Sequence, residues 1–320
     1  MSKSVKAWLV IGVILTVTGL AMFLVALSGA HFDFSLLGMD KYVTNTYEIT
    51  DPFDNLSIET DTADITVLLS QDGSCKVECY EEQMAKHAVA VNEETLSIRV
   101  ENEKTWYDYI GFCFETPQIT LHLPEEKYVA LFIEASTSNI EIPKELSFDS
   151  VDVSTDTGDV AISASTTGVT KITAGTGDIN VEGVSAGALE LSVSTGMITA
   201  KDVACNGNFT IRVSTGRMNL TAVTCKNLVS TGDTGDTMLD RVIVEEKLSI
   251  ERNTGDVRFE NSDAAEMYVK TDTGDVSGSL LTAKMFITST DTGSVRVPAS
   301  TAGGRCEIIT DTGDIQITIP

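Results

Sequence analysis

The chain has 320 residues, of which 42% are apolar and only 6% aromatic. Its 22 Lys and Arg stand against 47 Asp and Glu, which gives a formal net charge of −25. This acidity argues against nucleic-acid binding, because a phosphate backbone must be met by clustered Lys and Arg. The chain contains 40 threonines, 27 of them after residue 150, a composition that favours repetitive β structure over helices.

The N-terminus carries an apolar segment over residues 8–28 that is long enough to cross a bilayer as one helix. Lys3 and Lys6 precede it, so the positive-inside rule predicts a single-pass plasma-membrane anchor with residues 1–7 in the cytoplasm. A cleaved signal peptide is the alternative, since small residues follow the apolar run. Both interpretations export the rest of the chain, which begins with a linker at residues 29–48.

A repeat of 19 or 20 residues follows, marked by the dipeptide Thr-Gly. Apolar residues alternate with polar ones on both sides of each Gly, which predicts two short strands joined at a bend. We expect each Gly to adopt a positive φ at that bend. The Gly positions are 158, 177, 196, 216, 235, 255, 274, 293 and 313.

A coil of this length buries its apolar side only by stacking on other coils, about 4.8 Å apart. The sequence therefore predicts an all-β fold, a single-stranded parallel β-solenoid over residues 134–320 that follows one N-terminal transmembrane helix. Residues 49–133 are predicted to form a first, degraded coil with inserted hairpins as an N-terminal cap.

The pattern also concerns three details of the coils: the Thr before each Gly, Arg252 and the last coil. The Thr before each Gly shares the parity of the inward apolar residues, so we expect it to form a buried hydroxyl ladder. Arg252 breaks the inward pattern and the sequence offers no reason for it. The last bend is followed by one strand, so we expect the last coil to form an open edge.

Aspartates recur beside the bends. Because neighbours in such a column lie near one strand spacing, a divalent cation such as Ca²⁺ is a weak candidate ligand, and solvated turn residues are the favoured alternative. The Asp-Thr-Gly triplets resemble those of aspartic proteases, but they recur with the coil period, which indicates turns. No other cofactor is predicted. The candidate metal-binding residues are Asp236, Asp256, Asp275, Asp272, Asp291 and Asp311.

A short aromatic segment stands apart from the repeats. It fits either a plug over the apolar N-terminal end of the solenoid or an exposed recognition loop for protein or carbohydrate. We favour the plug. The residues of the possible recognition loop are Trp106, Tyr107, Tyr109, Phe112 and Phe114.

Two of the six cysteines, Cys205 and Cys225, hold the same position in successive coils. Stacked in register, their Cα atoms would lie within disulfide range, so a disulfide and two buried free thiols are both open. Free thiols are the favoured interpretation.

Several motifs along the chain are typical of one protein family. They are Phe32-Asp-Phe-Ser35, Lys41-Tyr42, Tyr47-Glu-Ile49, Asp61-Thr-Ala-Asp-Ile65, Trp106-Tyr-Asp-Tyr-Ile-Gly111 and the recurring Ser/Asp-Thr-Gly-Asp-Val/Ile. Through these motifs the sequence resembles the bacterial β-strand-repeat "putative adhesin" family, known as domain of unknown function 4097. The resemblance implies a membrane-anchored surface protein, typically of Gram-positive bacteria, whose near relatives accompany envelope-stress systems. It supplies no catalytic or ligand residues.

Three functions are therefore weighed. The first is a non-catalytic binding, adhesin-like or scaffold protein that contacts an envelope protein or glycan. The second is an accessory or sensor component working through membrane partners. The third is a β-helical carbohydrate-active enzyme, which would need a local group of catalytic residues that the sequence does not reveal. The oligomeric state stays open.

Overall fold

The computed structural model describes residues 3–29, 42–102 and 115–319. In this part of the chain, helix α1 (Lys3–Gly29) precedes 25 strands that join into one sheet. The segment Trp8–Val25 of α1 has a mean hydropathy of 2.5 and none of it is buried within the protein. By length and composition, α1 is therefore able to cross a membrane, as an anchor or a signal sequence does.

Most of the sheet is a parallel solenoid, which confirms the predicted fold class. Each coil contains one long strand, a bend at the Gly, and two shorter strands. In the later coils the three strands run together as one of 17 or 18 residues. The strands are β8 Lys127–Thr137, β9 Ile140–Ile142, β10 Ser147–Thr157, β11 Val160–Ile162, β12 Ser165–Thr166, β13 Val169–Thr176, β14 Ile179–Glu182, β15 Ser185–Ala186, β16 Ala188–Thr195, β17 Ile198–Thr215, β18 Met218–Thr234, β19 Thr237–Thr254, β20 Val257–Thr273, β21 Val276–Leu280, β22 Lys284–Thr292, β23 Val295–Arg296, β24 Gly304–Thr312 and β25 Ile315–Thr318.

The predicted bends are confirmed. All nine repeat glycines have positive φ, from 132° at Gly235 to 156° at Gly313. A Cβ atom at Gly274 would overlap the carbonyl oxygen of Gly255 in the adjacent coil. Glycine is therefore required here both by conformation and by the close approach of two backbones.

A second corner lies six residues after the Gly and has no glycine signature in the later coils. Asp202, Ala222 and Arg241 have φ of 53°, and Asn261 has φ of 47°. These left-handed conformations turn the chain between the second and third strands of the coil. This corner cannot be predicted from the sequence, because four different residue types occupy it.

The N-terminal end of the solenoid is closed by antiparallel strands. Strand β1 pairs with β4, β4 with β7, and β5 with β6. Strands β6 and β7 then pair in parallel with β2 and β3 of the first coil, whose other side meets β8 and β9. The strands are β1 Tyr42–Ile49, β2 Asn55–Thr60, β3 Asp64–Leu69, β4 Cys75–Glu82, β5 Ala85–Asn92, β6 Thr95–Asn102 and β7 Gln118–Leu123.

At the C-terminal end the coils do not stack in sequence order. Strand β24 lies between β20 and β22, and β25 lies between β21 and β23. The expectation that the last coil forms the open edge is therefore wrong, because β22 and β23 lie outside it. Pro298 follows β23 closely, and a residue that cannot donate to a ladder suits the outermost coil.

Arg252 is a buried cation in the core of the solenoid, with 4% of its surface exposed. Its Nη2 donates to the Ser230 hydroxyl at 2.9 Å and its Nε to the Thr237 hydroxyl at 3.0 Å. Burial lowers its pKa to about 10, so the guanidinium is charged at neutral pH. Gly232 is its partner in the next strand and lacks the Cβ that would collide with the guanidinium.

Candidate functional site

A column of ten threonines runs along the outside of the bend, and we call it the threonine edge. Each member pairs in register with the Thr of the adjacent coil, and every one is exposed. The expectation of a buried hydroxyl ladder is therefore wrong. In stacking order the threonine edge is Thr137, Thr157, Thr176, Thr195, Thr215, Thr234, Thr254, Thr273, Thr312 and Thr292.

The parity argument fails because the chain bends one residue before the Thr. The ladder pairs Thr155 with Ala174 and then Thr157 with Thr176, and it skips the residue between them. Two successive side chains consequently face solvent, and the last inward position is three residues before the Gly. At that position Thr271 is buried and donates to the carbonyl of Gly255 at 3.1 Å.

The aspartates after the Gly form a hydrogen-bonded ladder along the same edge. The backbone N–H of Asp275 donates to Oδ1 of Asp256 at 2.8 Å, and that of Asp314 donates to Oδ1 of Asp275 at 2.8 Å. Asp256 bonds in the same way to Asp236 at 3.2 Å. Each of these carboxylates therefore satisfies a backbone donor of the next coil, a structural role for the column.

The aspartates two residues before the Gly lie on the other side of the threonine edge. Asp291 and Asp311 are exposed, while Asp272 is half-buried and pairs with Lys270 at 3.1 Å. Within the residues described, none of the six candidate aspartates belongs to a group of three or more side chains whose ligand atoms lie within 4.8 Å of one another. Calcium binding by these columns stays a prediction.

The threonine edge offers hydroxyl groups that both donate and accept hydrogen bonds. Among the hydrogen bonds of the described residues, none is donated by these ten hydroxyls to the protein. They are thus available to a ligand, at the spacing of the strands, about 4.8 Å. The flanking carboxylates add acceptors and negative charge.

The two cysteines of successive coils are in register, as predicted. Cys205 pairs with Cys225 between β17 and β18, and both are buried with free thiols. Burial raises the pKa of Cys225 to about 12, which makes its thiol unreactive at neutral pH. The five aromatic residues of the predicted plug, or alternative recognition loop, lie outside the described residues.

Comparison with known proteins agrees with this architecture. The model of the family described as Toastrack DUF4097 matches residues 53–208 and 198–320. A "putative adhesin" from Parabacteroides distasonis is similar in structure, with a TM-score of 0.54 and 13% identity over 87% of this chain and 98% of that one. A second "putative adhesin", from Parabacteroides merdae, has a TM-score of 0.49 and 14% identity over 75% of this chain and 97% of that one.

A "putative lipid binding protein" from Parabacteroides distasonis has a TM-score of 0.46 and 12% identity over 86% of this chain and 96% of that one. No curated protein matches the chain in sequence. The likeness to the first "putative adhesin" from Parabacteroides distasonis, at 13% identity, shows the fold alone. Since the two matched ranges together cover more than half of its residues, the chain belongs to the Toastrack DUF4097 family.

Proposed function

We propose that this protein is a membrane-anchored binding protein that holds a polymer of the cell envelope along the threonine edge of an extracytoplasmic solenoid. The observation that carries the proposal is the column of ten exposed hydroxyls in register. A solenoid repeats the same contact in every coil, so individually weak hydrogen bonds add up along an extended ligand.

The membrane part of the proposal is supported by α1 and by the charge of the chain. The helix is apolar over Trp8–Val25, and Lys3 and Lys6 lie on its N-terminal side. This arrangement favours a single-pass plasma-membrane anchor with the N-terminus in the cytoplasm. The net charge of −25 favours a solenoid held away from an anionic membrane surface.

The proposed ligand class is a neutral polysaccharide. Its hydroxyls both donate and accept, which matches threonine hydroxyls beside carboxylates that only accept. The aspartates on both sides of the threonine edge repel polyanions, which disfavours nucleic acids and phosphate-rich polymers. An envelope protein with a basic or neutral extended segment is the competing partner.

We favour binding over catalysis because the carboxylates that follow the Gly are committed to the ladder. Asp256 and Asp275 each accept a backbone N–H of the next coil. A glycoside hydrolase instead needs two carboxyl groups that face each other across the scissile bond. The carboxylates of the ladder lie side by side along one edge.

The test replaces hydroxyls without changing shape. In the full-length protein in detergent, Thr215, Thr234 and Thr254 are changed to Val, which keeps the β-branched side chain. The matched control changes Thr173, Thr210 and Thr231 to Val, since these face outward from the long strands instead of the bend.

Binding to neutral glycans on an array and to purified envelope polysaccharide is then measured for both triple variants. Three lost hydrogen bonds predict at least about tenfold weaker binding for the edge variant and a change within about twofold for the control. Equal binding by both variants, or no glycan binding by the parent protein, would refute the proposal.

A further inference from the structure

A buried cluster of metal-ligating side chains lies in the N-terminal cap, away from the threonine edge. Cys79 and Glu81 alternate on β4, so they face the same side, and His87 lies on β5 of the following hairpin. Cys79 and Glu81 are completely buried, and His87 is 4% exposed. The Cys79 sulfur, a Glu81 carboxylate oxygen and a His87 ring nitrogen all lie within 4.8 Å of one another.

The carboxylate of Glu81 is held on both of its oxygens. Oε1 accepts a hydrogen bond from the Asn45 amide at 2.6 Å. Oε2 accepts one from the backbone N–H of His87 at 2.6 Å and lies 2.8 Å from its Nδ1. A carboxylate fixed in this way has lost its rotational freedom before any ligand arrives.

The ring of His87 is oriented from its opposite side. Its Nε2 lies 2.9 Å from the Thr60 hydroxyl, which is itself buried. When Nε2 carries the proton and donates to Thr60, Nδ1 presents its lone pair toward Cys79 and Glu81. In metal sites, an oxygen that bonds the other ring nitrogen of a ligating histidine generally fixes its tautomer.

We propose that Cys79, Glu81 and His87 bind one zinc ion through Sγ, one carboxylate oxygen and Nδ1, with the fourth position left to water. One sulfur, one nitrogen and one oxygen form a donor set that zinc accepts. Zinc bonds of about 2.0 to 2.3 Å at tetrahedral angles place ligand atoms roughly 3.3 to 3.6 Å apart. The Nδ1 to Oε2 contact of 2.8 Å therefore has to open only slightly.

Zinc would replace protons in this cluster. Burial, with a smaller contribution from Glu81, raises the pKa of the Cys79 thiol to about 12. The ion therefore has to displace the thiol proton when it binds. Four strands meet at the cluster, because Asn45 belongs to β1 and Thr60 to β2. The bound ion would fasten β4 to β5 in the N-terminal cap, and the His87–Thr60 contact would connect this pair to the first coil.

The experiment uses the full-length protein without a polyhistidine tag, stripped of metal, loaded with Zn²⁺ and desalted. We expect one zinc per chain by mass spectrometry and a raised melting temperature. Cys79→Ser and His87→Gln should weaken binding at least about 100-fold. Cys225→Ser is the matched control, because Cys225 is equally buried and lies far along the solenoid.

A Co²⁺ titration of the parent protein tests the metal site even if a variant fails to fold. A thiolate-to-cobalt absorption band that Cys225→Ser retains supports the site. Absence of that band, absence of retained zinc, or equal zinc in the parent, Cys79→Ser and His87→Gln overturns it. The last outcome would place the ion on surface carboxylates instead.

Discussion

The N-terminal end of the solenoid is covered by antiparallel strands, whereas the outermost coil at the C-terminal end has one neighbour among the described strands. At the N-terminal end β5 pairs with the outer side of β6, and Leu96 and Ile98 of β6 are completely buried. Among the described strands β22 pairs only with β24, and Met285 and Ile287 are 44% and 50% exposed. The apolar side chains of the outermost parallel strand are therefore buried only where another strand or hairpin covers them.

Both ends use a buried polar contact where the coils leave sequence order. At the N-terminal end Glu81 bonds to His87, and at the C-terminal end the ammonium of Lys284 lies 2.5 Å from a carboxylate oxygen of Asp263. Lys284 is 3% exposed and starts the displaced strand β22. Apolar coils of similar shape stack in any order, so a specific polar pair helps to select one arrangement.

The largest expected effect comes from glycines at matched bends. Gly274→Val places a side chain against the carbonyl of Gly255 inside the stack, at a φ that Val rarely adopts, and we expect a loss of about 5 kcal/mol or more. Gly293→Val makes the same collision with Gly313, but its coil is outermost and detaches at lower cost. Thermal unfolding should show a much larger fall in melting temperature for Gly274→Val. Equal falls would contradict an open C-terminal end.

A smaller effect is expected from breaking the buried pair. Lys284→Met leaves the carboxylate of Asp263 buried without its cation, which should cost about 4 kcal/mol, mostly in the outermost coil. Lys270→Met is the control, since the side chains of its pair with Asp272 are 41% and 44% exposed and solvent screens them, so the loss should be far smaller. Denaturant unfolding and hydrogen exchange over residues 284–296 measure the two costs. A loss that is no greater than in the control would remove the proposed role of this pair.

Truncating one isoleucine at each end compares the two cores directly. Ile98→Ala opens a cavity in a closed end and should cost about 3 kcal/mol of unfolding free energy. Ile287→Ala removes a half-exposed side chain and should cost less than about 1 kcal/mol. Chemical denaturation measures both. A cost at Ile287 near that at Ile98 would mean that another surface covers β22.

The sequence predicts what depends on local periodicity. It predicts the parallel coils and the positive φ of glycines such as Gly274, because alternation and backbone conformation are properties of a few neighbouring residues. It fails at the threonine edge, because one bent residue before Thr157 reverses the parity. Coil order is also hard to predict, since β22 and β24 both end in Thr-Asp-Thr before the Gly and their order depends on contacts between distant coils, such as that of Lys284 with Asp263. The Cys79 cluster has irregular spacing, so only the folded hairpin reveals it.

The smallest expected effect is a pH dependence confined to the C-terminal end. Hydrogen bonds from the backbone and side chain of Ser294, in the outermost coil, hold the pKa of Asp314 below its usual value. A carboxyl group whose pKa is lower in the folded state stabilises the fold at pH values above its unfolded-state pKa. This stabilisation is lost as the pH falls through the folded-state pKa. Acidification from about pH 6 to about pH 3 should therefore lower hydrogen-exchange protection in residues 284–296 before residues 95–102. Asp314→Asn keeps an oxygen acceptor without the titration, so an equal loss in that variant would show that other carboxylates loosen the coil.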